Sequence, residues 1–251
     1  MLLCGLGTGA TGSVAACMLD FDVEVAIFAV LIVAMLVKLP AVPLHRWLPI
    51  AHSEACTEGS VLLAAVVLKL SGYGLCRFML PMFVAGWAYF GPVLEVLAML
   101  SVLYGSLVTL RQVDFKKLVA YSSVAHMGLV LTGLFSGSSA GVLGVLLLLW
   151  THALSSAGLF LAIGAVYERL GTRLYRYLAG AAEAMPLWCG LLFVLSLMNL
   201  SLPGTGGFVA EVLILVAACS EGLVLALVLS LTLVFSGAYS LWLFNRVAHG
   251  A

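Results

Sequence analysis

Apolar runs of about 17 to 25 residues recur along the chain, and the short stretches between them carry most of its charge. About 20 residues at 1.5 Å rise cross a roughly 30 Å hydrocarbon core, so each run predicts a spanning helix. The pattern predicts seven, from Glu24 to Ile50 (interrupted), Ser60 to Leu80, Gly91 to Leu110, Leu118 to Phe135, Gly141 to Tyr167, Met185 to Cys219 (interrupted) and Gly222 to Phe244. The opening stretch, Met1 to Met18, is broken by Gly5, Gly7, Gly9 and Gly12 and reads as the tail of a further span. The fold expected is all-α, a single polytopic membrane domain over residues 1–251.

Two spans are interrupted in similar language, KLPAVPLHRW in the first and NLSLPGTGGFVAE in the sixth. Proline removes a backbone N–H and clashes with the preceding turn. Paired broken helices in two halves of a chain point to an inverted-repeat transporter, with its site where the helices unwind.

The loop charges alternate. Arg46, Arg111, Lys116, Lys117, Arg169, Arg173, Arg176 and Arg246 fall on one side of the predicted topology, and Arg77 falls on the other. This positive-inside bias would scramble if one span had been miscounted. Trp87, Tyr89, Trp188 and Trp242 fall near predicted helix ends, where aromatic belts form.

Composition sharpens the picture. The chain is 64% hydrophobic and 9% charged, against roughly 25% charged in a soluble domain, so soluble classes are excluded. A formal net charge of zero argues against nucleic acid as a partner and for membrane lipids and other apolar surfaces. The first 37 residues hold no Lys or Arg, so neither a secretory signal nor a transit peptide is visible. Cys4, Cys17, Cys56, Cys76, Cys189 and Cys219 form no C-x-x-C pair and read as small hydrophobes rather than disulfide or metal ligands.

Against this apolar background a few ionisable residues stand out. Lys38 and Lys69 lie inside apolar runs, where an unpaired lysine costs roughly 2.5 to 3.5 kcal/mol and usually marks an ion or proton path. Lys69 falls near the middle of its span, as do His126 and His152, while Lys38 and Glu211 adjoin the two breaks. Polar neighbours at helical spacing accompany them: Tyr73 beside Lys69, Ser122 beside His126, Ser155 and Ser156 beside His152, and Thr232, Ser236 and Ser240 in the last helix. Those faces are expected to turn inward together. Burial disfavours the charged form of Lys, His and Glu alike, which suits a row of groups that exchange protons. Helix-to-helix hydrogen bonding is the alternative role for His126 and His152.

Other groups read as structural. His52, Glu54, Cys56 and Glu58 recur at every second residue, a spacing that does not converge on a helix, so no metal site is expected there. Glu95 is placed in the first turn of its span by the helix dipole and Asp114 at an N-cap. No nucleophile-base pair, phosphate loop or cofactor motif is apparent, so redox chemistry is expected elsewhere.

KLPAVPLHRWLPIAHSEACTEGSVLLAAVVLKLSGYGLCRF resembles the antiporter-like membrane subunits of proton-pumping NADH:ubiquinone oxidoreductase, respiratory complex I, and subunit 4 in particular (the M subunit in bacteria). DFKKLVAYSSVAHMGLVLTGL, THALSSAGLFLAIGAVYERLGTRLYRYLAG and MPLWCGLLFVLSLMNLSLPGTGGFVAEVLIL resemble it in the same order. The resemblance implies a partial antiporter-like inverted-repeat fold matching helices 7 to 13 with the end of helix 6. It also implies a proton relay through Lys38, Lys69 and Glu211, with His45, His126 and His152 along the same axis. Cys56 stands where the family usually has proline.

The family's fifth-helix glutamate, which normally pairs with the Lys38 position, has no counterpart here. Another chain is therefore expected to supply it with the front helices. FMN, iron-sulfur clusters and quinone are expected in other subunits, with none on this chain. The setting implied is the mitochondrial inner membrane, or a bacterial plasma membrane. A subunit of a related cation/proton antiporter or membrane-bound hydrogenase, and a scaffold remnant that no longer pumps, are the alternatives.

Overall fold

The computed structural model describes residues 20–250; the opening Met1 to Met18 stretch, with Cys4 and Cys17, lies outside them. Helices account for every regular element among the described residues except one isolated bridge, Asp114 to Leu174. In chain order they are α1 Phe21–Lys38, α2 Trp47–Glu54, α3 Thr57–Met82, α4 Val84–Leu110, α5 Phe115–Phe135, α6 Ser139–Leu170, a short 3-10 turn Tyr175–Tyr177, α7 Ala181–Ala184, α8 Pro186–Asn199, α9 Gly206–Glu221 and α10 Leu223–Ala248. Five of these, α3, α4, α5, α6 and α10, are each long and apolar enough to cross a membrane.

Both interruptions fall where the prolines predict them. After Lys38 the chain leaves the helix through Pro40 and Pro43 and resumes helical geometry at Trp47. The backbone groups exposed by the break are re-satisfied: the Trp47 indole donates to Val37 O at 2.7 Å, and Val42 N–H donates to Ser101 Oγ at 2.8 Å. The second break separates α8 from α9 over Leu200 to Thr205. Asn199 anchors it to α10 by donating to Ser240 Oγ at 3.2 Å.

α5 is the central element. Most of its side chains are buried, whereas in the most apolar stretch of each of α3, α4 and α10 fewer than half are. An outward apolar face suits lipid, and a helix buried all round suits the middle of a bundle. Close approach needs small residues: a methyl group on Gly144 of α6 would sit 2.9 Å from Ala210 O and 3.1 Å from Ile214 N of α9.

Three expectations need correction. α4 begins at Val84, not Gly91, because Glu24 of α1 accepts hydrogen bonds from Ala85 N–H at 2.8 Å and Gly86 N–H at 3.4 Å and so caps the earlier start. Glu95 therefore lies three turns into the helix rather than in its first turn. Trp87 stays near a helix end, in the first turn of α4, and is also packed, stacked on Phe135 at 4.5 Å and edge-on to Phe28 at 5.9 Å. The third, Tyr73, concerns the site.

The basic loops are drawn together at one end. Phe115 N–H donates to Arg173 O at 3.0 Å, and the Tyr175 hydroxyl donates to Gln112 O at 2.5 Å. The Arg173 guanidinium reaches Ser53 O and lies 3.8 Å from Asp114, while Arg246 covers the Trp242 ring at 4.2 Å. Asp114 also caps α5 as expected, accepting from Lys116 N–H at 2.9 Å. Cys56 occupies the N-cap of α3 with φ −61°, an angle proline also adopts, so the helix starts as a proline would start it.

Candidate functional site: a buried row of ionisable side chains

Lys69 comes from the middle of α3, between two stretches of wide π-type turn at Leu63–Val67 and Leu75–Met79. Such turns recur at functional sites, and no sequence signal marks them here. Side chains on a helix lean toward its N-terminus, and Lys69 does so. Its Nζ donates to Ala64 O at 2.5 Å and sits 2.7 Å from His152 Nδ1 of α6. Tyr73, one turn later, does not follow it inward. It is 51% exposed and packs edge-on against Phe78 at 6.3 Å, while the lysine reaches back down the helix.

His152 lies beside His126 of α5, with ring centroids 5.0 Å apart and planes tilted by 59°. His126 Nδ1 is in turn 3.5 Å from Glu211 Oε1 of α9. Lys69, His152, His126 and Glu211 thus lie in a row across four helices, hydrogen-bonded at Lys69–His152, with His152 Nε2 and His126 Nδ1 buried and without a hydrogen-bond partner among the described residues; the two histidines and Glu211 are all buried. A small cavity of about 10 Å³, room for roughly one water, lies beyond Glu211 against Leu129, Ile214, Leu229 and Thr232. The hydroxyl neighbours Ser122, Ser155, Ser156, Thr232, Ser236 and Ser240 are buried with the row, as the helical spacing predicts.

Two further residues attach to the row that the sequence pattern did not single out. The Tyr239 hydroxyl of α10 is 3.4 Å from His126 Nε2, and Ser201, in the second break, donates to Glu211 Oε1 at 2.7 Å. Tyr239 lies three residues beyond Ser236 on the same polar face, a spacing that could have found it. Ser201 sits in a break whose geometry the sequence does not display.

Lys38 and His45 lie outside the row. Lys38 ends α1 half-buried, and its side chain makes no hydrogen bond or ion pair among the described residues. His45 is buried in the first break, with its ring edge-on to Tyr104 at 5.0 Å and tilted to Tyr121 at 6.2 Å. His52 is fully buried and stacked flat on Phe160 at 4.4 Å, whereas Glu54, Cys56 and Glu58 are exposed, so these four side chains do not converge.

A row of this kind can pass a proton by successive short transfers, since Lys, imidazole and carboxylate can each donate or accept according to charge. It holds no arrangement of nucleophile and base for covalent chemistry among the described residues.

The comparisons with known proteins agree in kind. A family model described as NADH:quinone oxidoreductase/Mrp antiporter, TM, matches residues 10–236. NADH-ubiquinone oxidoreductase chain 4 of Chondrus crispus is 46% identical over 215 residues, covering 86% of this chain and 44% of the relative. Respiratory complex I from Thermus thermophilus with bound NADH contains a chain that superposes with a TM-score of 0.88 at 34% identity, over 94% of this chain and 51% of that one. The Mrp complex from Dietzia sp. contains another, with a TM-score of 0.85 at 25% identity, over 96% and 45%. The chain spans about half the length of the relatives it matches. With its family model covering nearly all of the described helices, the chain belongs to the NADH:quinone oxidoreductase/Mrp antiporter family of membrane proteins and is similar within it to complex I chain 4.

Proposed function

We propose that the chain is part of a proton-translocating subunit in the membrane arm of NADH:ubiquinone oxidoreductase. In it, protons step between Lys69, His152, His126 and Glu211 while NADH and quinone react on other subunits. The observation that carries this reading is the row itself: three consecutive contacts, at 2.7, 5.0 (between ring centroids) and 3.5 Å, joining a lysine to a glutamate through two histidines inside a membrane bundle. Ionisable groups are expensive at that depth, and function is the usual reason they persist. The names of the relatives favour the mitochondrial inner membrane as the setting.

Lys38, at the first break, belongs to the same function. Its counter-charge comes from outside the described residues, on another part of the assembly, because a half-buried lysine at a membrane helix end with no partner is costly. The likeness to the Mrp complex favours a cation/proton antiporter as the second reading. Co-purification with flavin and iron-sulfur subunits separates the two.

The test is Lys69→Met in the intact assembly, reconstituted in vesicles. Assembly and NADH oxidation by quinone are expected to persist while proton translocation per electron falls. An unchanged proton-to-electron ratio overturns the reading.

A further inference from the structure

Glu211 Oε1 is shared between two groups. His126 Nδ1 faces it at 3.5 Å, and the Ser201 hydroxyl donates to the same oxygen at 2.7 Å. Ser201 reaches it from an unusual backbone. Its φ of +59° makes it the one non-glycine residue in the left-handed region among the described residues, and it is 5% exposed. Side chains rarely adopt that conformation, and where it persists the surrounding structure must enforce it.

The surroundings do enforce it. Ser201 N–H donates to Met198 O at 3.2 Å and Leu202 N–H to Leu197 O at 3.1 Å, closing the end of α8 into a tight turn. Gly207, in the first turn of α9, lies directly against the serine: a methyl group there would sit 2.8 Å from Ser201 Oγ and 3.3 Å from its Cβ. An absent side chain at 207 and a left-handed backbone at 201 together aim one hydroxyl at one carboxylate oxygen. Packing alone would be met more cheaply by glycine at 201, since glycine adopts this φ without strain.

We propose that Ser201 is a positioning residue for proton transfer: its hydroxyl holds the Glu211 carboxylate with Oε1 turned toward His126, ready to accept a proton from that ring. This rests on the relay reading above. In the transfer the N–H bond at His126 Nδ1 breaks and an O–H bond forms at Glu211 Oε1, leaving neutral imidazole and carboxylic acid. The serine keeps its own proton. A carboxylate oxygen carries two lone pairs, so accepting from Ser201 with one leaves the other for His126. A donor to the anion also matters most where water is excluded.

The test uses the intact assembly in vesicles, with NADH-driven proton translocation as the readout. Ser201→Gly keeps the backbone and removes the hydroxyl. It is expected to assemble at least as well as the parent and to translocate about tenfold more slowly, the loss typical of one hydrogen bond to a charged group. Ser201→Asn places a donor on a residue that tolerates left-handed geometry, and is expected to recover much of that loss. Gly207→Ala leaves the serine in place but displaces its hydroxyl, and is expected to reproduce the loss. Parental translocation in Ser201→Gly, or equal loss in Ser201→Gly and Ser201→Asn, overturns the assignment. Glu211→Gln separates the levels: if it translocates normally the relay reading fails, whereas if it is impaired and Ser201→Gly is normal, the role of Ser201 alone fails.

Discussion

Lys69 Nζ and His152 Nδ1, on helices 83 residues apart in sequence, lie 2.7 Å from each other inside the bundle. One proton shared across that contact can reside on either nitrogen, and the contact is the first step of the row. His152→Leu removes the acceptor while keeping the volume similar. It is expected to slow proton translocation by about tenfold or more, equal to roughly 1.4 kcal/mol on the barrier, with assembly retained. The comparison that checks it is His152→Leu against Lys69→Met and their double variant. If both act on one path, the double variant is no worse than the poorer single.

Tyr239 touches the row at its centre through a long contact to His126 Nε2, 3.4 Å. A neutral hydrogen bond of that kind contributes about 1 kcal/mol, so Tyr239→Phe is expected to cost a few-fold in translocation rate and little in stability. Vesicle assays on that variant check it. A loss as large as that of Glu211→Gln would place Tyr239 on the path rather than beside it.

Gly144 lets α6 and α9, which carry His152 and Glu211, approach to backbone contact. Gly144→Ala forces a methyl group against Ala210 O at 2.9 Å, so it is expected to destabilise the bundle by about 1 to 3 kcal/mol. Thermal denaturation of the solubilised assembly measures this. Because the methyl also wedges the two helices apart, translocation is expected to fall further than stability alone would explain.

At the basic end, two neighbouring lysines behave differently. Lys116 is 1% exposed, donates from Nζ to Ala55 O at 2.9 Å and lies 5.6 Å from the Tyr167 ring centre, whereas Lys117 makes neither contact and is half-buried. Lys116→Met leaves Ala55 O without its charged donor and is expected to cost about 1.5 to 3 kcal/mol. Lys117→Met is expected to stay within about 0.5 kcal/mol. Denaturation midpoints of the two variants, run side by side, check the difference.

The apolar runs and the prolines of KLPAVPLHRW and NLSLPGTGGFVAE were sufficient to find the long helices and both breaks, though not every helix end, because a bilayer tolerates few backbone solutions and proline ends a helix by local sterics. The cost of charge in hydrocarbon likewise marked Lys38, Lys69 and Glu211 from their place in apolar runs and at the breaks, mid-span position marked His126 and His152, and helical spacing marked most of their hydroxyl neighbours. Which of these side chains meet was decided by tertiary packing. Periodicity gives the face of a helix but not the direction a long side chain leans or which helix it faces, so Tyr73 turned outward while Lys69 reached back to His152. The start of α4 was set by a carboxylate 61 residues earlier in the chain, and the burial of Lys116 by a carbonyl equally distant, contacts that no local pattern encodes. Ser201 shows the limit most sharply: its residue type is ordinary for a loop, and it gains its place against Glu211 from a left-handed backbone and a missing side chain at Gly207 that come together only where α8 meets α9.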